Sequence, residues 1–138
     1  LLLFKMKTQK NTKSVQPRKQ RKFRYNAPLH YRQKFMHVHL SPDLRKKYSF
    51  RNIQLKVGDK AKILRGNFKK KEGKVEKINL KKEQVFITGL ERVKKEGSKM
   101  LVPFNPTNLM ITELNLDDKK RKVKLESKKK ASKPEDKK

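Results

Sequence analysis

The stretch that decides the fold reads Lys60-Ala61-Lys62-Ile63-Leu64-Arg65-Gly66-Asn67-Phe68-Lys69-Lys70-Lys71-Glu72-Gly73-Lys74-Val75-Glu76-Lys77-Ile78. Ala61 and Ile63 alternate with Lys60 and Lys62, the period of a strand with one face buried and the other in water. Gly66 and Gly73 then punctuate a polar run, Asn67 to Glu72, which reads as a loop. Val75 and Ile78 are three apart; that breaks strict alternation and predicts a bulge or bend in the returning strand. The same texture starts near Gln54 and continues downstream. Val85 and Ile87 alternate with Phe86, and Met100–Val102 and Leu109–Ile111 supply two more strands around a Pro103-Phe104-Asn105-Pro106 turn. Short strands spaced by turns predict a small all-β barrel over residues 54–114. A barrel of about 60 residues is only marginally stable alone, so docking on a partner would complete it.

Working outward, residues 1–53 read as a basic extension. No acidic residue precedes Asp43, and eleven basic residues fall between Lys5 and Lys34, nine of them by Arg24. The first part has no helical or strand period and by itself is expected to be disordered. A run of like charge is ordinarily a solvated tail, but here Phe23 and Tyr25 interleave with Arg21, Lys22 and Arg24. Aromatic faces stack on bases while guanidinium groups pair with phosphates. Two short helices are expected next. Asn26 caps the first, with Pro28 in its first turn and Leu29, Gln33 and Met36 along one face. Ser41-Pro42-Asp43 starts the second, with a hydroxyl cap, a proline and an acid in the first turn, followed by Leu44 and Tyr48 at i,i+4. His30, His37 and His39 lie here without a carboxylate cluster, so packing or phosphate contact is expected of them rather than metal.

The far end, residues 115–138, reads as a basic helical or disordered tail. Asp117 and Asp118 precede Lys119-Lys120-Arg121-Lys122, acid first and base after, as a helix dipole prefers; disorder is expected beyond Ser127.

In composition, 41 Lys and Arg stand against 13 acids among 138 residues, a formal charge of +28. Such a chain favours the folded state only beside a polyanion, and a pI near 10.5 is the footprint of a nucleic-acid binder. Absent cysteine excludes disulfides and thiolate metal sites or catalysis. Leu1-Leu2-Leu3-Phe4 ends at Lys5, too short for a signal peptide or membrane span. Met6 is read as a start, preceded by extra translated sequence, and an intracellular, soluble location is expected.

Val57-Gly58-Asp59, Arg65-Gly66, Phe68-Lys69, Glu72-Gly73-Lys74-Val75 and Ile78 together resemble a KOW motif, which transcription elongation factors also carry. The flanks narrow the resemblance. Pro17-Arg18-Lys19-Gln20-Arg21-Lys22 and Tyr25-Asn26-Ala27-Pro28-Leu29-His30 resemble the N-terminal extension of the universal KOW-domain protein of the large ribosomal subunit. The form is archaeal or eukaryotic, since bacterial members lack that extension. Asn105 to Ile111 and Leu114 to Asp118 are similar to its C-terminal pattern. The resemblance covers roughly Pro17 to Lys122. It implies an SH3-like barrel with an RNA-bound extension, binding to large-subunit ribosomal RNA, early participation in assembly and a place near the nascent-chain exit. It further implies neighbouring ribosomal proteins as partners, with nascent chain or targeting factors at the exit, in the cytoplasmic large subunit. No cofactor, metal, membrane or homo-oligomer is implied. One departure is Lys70, where the family has glycine; the loop is expected to relax and gain a cation.

The RNA-binding candidates are Arg18, Lys19, Arg21, Lys22, Phe23, Arg24, Tyr25, His30, Arg32 and Lys34 in the extension. On the barrel they are Lys62, Arg65, Lys69, Lys70, Lys71, Lys74 and Lys77, expected on one basic face, and in the tail Lys119, Lys120 and Arg121. The plainer reading is that about half of the barrel lysines only keep an edge strand soluble. Phe86 points opposite to Val85 and Ile87, either under the extension or onto a base, with burial expected. An enzyme is not expected, because the acids are scattered among lysines and the histidines have no nearby acid. A transcription factor would need an α/β domain where this chain has a basic, apolar-poor extension. A membrane-surface protein would need a sustained amphipathic helix.

Overall fold

The computed structural model describes residues 14–131. Its strands are β1 (His37–Leu40), β2 (Asn52–Gln54), β3 (Lys60–Ile63), β4 (Glu72–Asn79), β5 (Gln84–Val93), β6 (Lys99–Phe104) and β7 (Leu109–Glu113). They hydrogen-bond in the order β2-β1-β7-β3-β4-β5-β6. Neighbours are antiparallel except β1 and β7, which run parallel. The inward residues of alternating strands meet across the ladder: Ala61 faces Ile111 and Ile63 faces Leu109, while Val75 faces Ile87. With Val38, Leu40, Leu55, Val85, Leu90 and Phe104 they form one core, giving the small barrel-like β domain expected. Burial of these side chains, at about 1.5–3 kcal/mol each, is the main force holding the sheet curled.

The expected irregularity in β4 is a register shift between Val75 and Lys77. Gly73 fits where β4 crosses β5. A Cβ there would lie 2.6 Å from Ile87 Cγ2 and 2.8 Å from the Thr88 carbonyl oxygen. β6 runs through Pro103 to Phe104 rather than stopping at Val102; it ends the sheet order, and proline is tolerated on an edge strand. The turn therefore begins later, at Asn105, whose side chain accepts from the Thr107 N–H at 3.1 Å.

β1 and β2 were not anticipated from the sequence. They carry the sheet beyond β7, with Val38 and Leu40 buried. His37-Val38-His39-Leu40 alternates as β3 does, a signal the reading of this region as helical passed over, whereas β2 has only three residues and pairs with β1 across the intervening helix.

Helix α1 (Pro17–Asn26) replaces the disorder expected of the basic run. It carries no buried residue, but tertiary contacts hold it. The Phe23 ring lies edge-on to Tyr31 and Phe35 at 5.7 and 6.5 Å. Helix α2 (Leu29–Phe35) starts from Pro28 without a side-chain cap, and Asn26 closes α1 instead of capping α2. Of the expected face Leu29 is exposed, whereas Met36, at the C-cap of α2, is fully buried in the core as expected; Tyr31 and Phe35, one turn apart, pack against Phe23. Helix α3 (Pro42–Tyr48) forms as expected, with Ser41 Oγ accepting from the Leu44 N–H and Leu44 and Tyr48 against the core. Helix α4 (Lys119–Ala131) continues past Ser127, where disorder was expected; docking of Arg121 and Leu125 supports it. The start at Met6, the apolar Leu1–Phe4 and the end beyond Ala131 lie outside the described residues.

Candidate nucleic-acid interface

α1 sets Arg18, Lys19, Arg21 and Lys22 in water, and among the described residues none of them has an ion-pair partner. Tyr25, 82% exposed, leaves a whole ring open to stacking. Phe23 sets its ring edge-on to Tyr31 and Phe35 and stays half-buried, so less of it faces solvent than of Tyr25. Arg24 is partly committed. It pairs with Glu83 and its guanidinium lies 5.4 Å from the Phe35 ring centre. Arg32, half-buried, acts as a strut. Its Nε donates to the Ala27 carbonyl and Nη1 to the Lys81 carbonyl, both at 2.9 Å, and Nη2 donates to the Tyr25 carbonyl. Arg24 and Arg32 thus fasten the end of α1 to the β4–β5 turn. His30 is exposed beside Tyr31, and Lys34 Nζ sits 4.9 Å from the Tyr31 ring centre.

The β3–β4 loop presents Arg65, Lys69, Lys70 and Lys71 to solvent. It does not relax around Lys70, which holds φ 71, the left-handed region glycine adopts without strain. Two hydrogen bonds fix it there: Lys70 N–H to the Ile63 carbonyl and Ile63 N–H to the Lys71 carbonyl, both 2.9 Å. Phe68 packs edge-on against Phe104 at 5.7 Å, with Lys71 Nζ 5.3 Å from its ring centre. Lys62 is partly neutralised by Glu72 at 3.1 Å. Lys74 and Lys77 are exposed farther along β4, and Phe86 is half-buried. The barrel cations therefore group as a loop cluster and a separate β4 pair.

In α4, Lys119 and Lys120 are exposed, but Arg121 is not a surface contact. It is 5% exposed and its Nη1 and Nη2 donate to the two oxygens of the fully buried Asp59 at 2.7 and 2.8 Å. They also reach the Asn115 and Gln54 carbonyls at 2.9 and 3.2 Å. Asp59 accepts in addition from the backbone N–H groups of Lys56 and Asn115, each at 2.8 Å. Gly58, at φ 89, lets this loop close; a Cβ there would lie 2.7 Å from Asn115 Nδ2. Asp59 was visible in the motif, but nothing local marks a partner 62 residues away. Lys56 pairs with Asp118, and that hydrogen bond holds the Asp118 carboxyl below its ordinary pKa. On β3, the hydrogen bond and charge of Glu113 raise the Lys60 ammonium above its ordinary value, at an N–O distance of 2.9 Å.

Sequence reasoning passed over Arg45, Lys46 and Lys47, all exposed in the last turn of α3. The available signal was a well-capped helix ending in three bases. Among the described residues no group of three or more His, Cys, Asp or Glu could hold a metal, and no helix there is long and apolar enough to cross a membrane.

The family model for the eukaryotic L26 and archaeal L24 ribosomal proteins matches residues 14–128. The chain is 48% identical over 108 residues to the large ribosomal subunit protein uL24 of Methanothrix thermoacetophila, covering 78% of this chain and 93% of that one. It is 47% identical over 108 residues to the uL24 of Methanosphaera stadtmanae, covering 78% and 92%. With the uL24 of Methanocella arvoryzae it shares 48% over 115 residues, covering 83% and 93%. The basic surfaces, the small curled sheet and these matches along nearly the whole described length agree: the chain belongs to the family of eukaryotic L26 and archaeal L24 ribosomal proteins, structural and non-enzymatic proteins of the large ribosomal subunit.

Proposed function

We propose that this structural constituent of the cytoplasmic large ribosomal subunit binds large-subunit ribosomal RNA through α1, the β3–β4 loop and the exposed side of α4. One observation carries the reading: the cations divide into two populations. Arg121 is buried on Asp59, and the half-buried Arg32 is taken up by three backbone carbonyls. Arg18, Lys19, Arg21, Lys22, Lys69, Lys70, Lys119 and Lys120 point into water with no carboxylate partner among the described residues. Uncompensated, preorganised cations beside an open Tyr25 ring suit phosphates and an unstacked base. In this reading residues 1–53 carry the RNA-facing extension and also lend β1 and most of β2 to the sheet of the 54–114 barrel, and 115–138 form the tail. The chain joins the subunit early in its assembly, beside other ribosomal proteins and near the polypeptide exit, where nascent chains and targeting factors pass. The test is gradient sedimentation of the tagged chain. It should travel with large subunits and their early precursors and remain there at moderate salt; a tagged chain confined to the top of the gradient would refute the reading.

A further inference from the structure

Between α4 and β2 lies a half-open notch of about 170 Å³. One wall is neutral, formed by Ile53 and Gln54; the other is α4, which turns Lys120 and Lys124 toward it. Those two lysines are one helical turn apart and therefore neighbours on the helix surface, where like charges destabilise one another. The other charged groups of the notch are already matched: Arg121 by Asp59 behind it, and Lys56 by Asp118. Lys120 and Lys124 have no carboxylate partner among the described residues. The buried clasp of Arg121 on Asp59 fixes the backbone of this turn of α4 against the sheet, which sets the positions from which the two lysines extend. Arg121 Nε is also buried without a hydrogen-bond partner beside the notch. A concave site lined by two uncompensated lysines, with a neutral glutamine on the facing wall, suits a single compact anion.

We propose that this notch is a phosphate seat, with Lys120 and Lys124 as its ligating cations and Gln54 as a neutral donor. The phosphate comes from an RNA backbone or from free inorganic phosphate; only the first source rests on the RNA-binding reading above. The residues holding the seat, Asp59 and Arg121, act by positioning α4.

The test uses the full chain, isotopically labelled, and its amide spectrum. Inorganic phosphate should shift the Ile53 and Gln54 signals saturably. The variant K120Q/K124Q should abolish saturation, whereas K94Q/K95Q, which removes the same charge from the β5–β6 turn, should retain it. With a short RNA duplex, K120Q/K124Q should lose roughly tenfold more affinity than K94Q/K95Q. Competition between duplex and phosphate for the Ile53 and Gln54 shifts assigns the seat to backbone phosphate; saturation by phosphate without such competition assigns it to the free ion. Absence of saturable shifts, or equal losses in the two variants, overturns the seat. A chain with no RNA affinity at all would refute the RNA-binding reading, while the phosphate titration would still decide the seat.

Discussion

Replacing Arg121 by Met should be among the most damaging single changes in the chain. The guanidinium makes four hydrogen bonds, two to Asp59 and one each to the Asn115 and Gln54 carbonyls. Methionine fills a similar stem volume, so the perturbation is chiefly electrostatic. Asp59, fully buried, keeps two backbone donors but loses its counter-charge. Breaking a buried pair by removing one partner costs about 3–5 kcal/mol, a large share of the roughly 5–15 kcal/mol that holds a typical domain together. With a denaturant slope of about 2 kcal/mol per molar urea, the midpoint should fall by about 1.5–2.5 M, read by far-ultraviolet circular dichroism. R121K should fall between, since an ammonium keeps the charge and loses the two-pronged geometry. D59N/R121M should cost less than the sum of its single changes, because the groups interact directly. A loss under about 1 kcal/mol in R121M would refute the reasoning, showing that the clasp does not hold α4 to the barrel.

Three further outcomes follow from the same geometry. K70G should stabilise the free chain by about 0.5–1 kcal/mol, since glycine relieves a left-handed backbone that lysine resists, and it should weaken RNA binding; both readouts come from urea melts and filter binding. F23A should release α1, lowering helical dichroism while the β signal and core persist, because the Phe23 ring touches Tyr31 and Phe35 rather than the barrel interior. For Asp118 the folded-state pKa is depressed by Lys56, so its contribution is present above the unfolded value near 3.8 and fades as pH falls through the folded one. D118N should therefore flatten the acid limb of a stability-against-pH curve below about pH 4 and leave its neutral-pH shape alone.

The strands with a period of two were legible because burial on one face leaves that trace: β3 and β5 are where Ala61, Ile63, Val85 and Ile87 required them. The cap of α3 was equally legible, since Ser41, Pro42 and Asp43 act locally. What the sequence hid was everything non-local. β1 joins the barrel by pairing with β7, more than 70 residues on, and holds β2 on its other side. α1 looked structureless because its order comes from an aromatic contact with α2 and two arginine struts. The candidate site was legible as a composition but not as a division of labour. Arg121 and Lys120 are adjacent in a basic run, yet one is buried on Asp59 and the other faces solvent. Phe23 and Tyr25 looked equivalent as stacking residues, and helix geometry turned one inward and the other out.

The central claim is that exposed, unpaired cations bind RNA phosphates, and salt titration tests it most directly. With 6–10 phosphate contacts, affinity of the purified chain for large-subunit RNA should drop about 10³–10⁵-fold between 50 and 200 mM salt. An affinity that stays flat over that range would contradict the account.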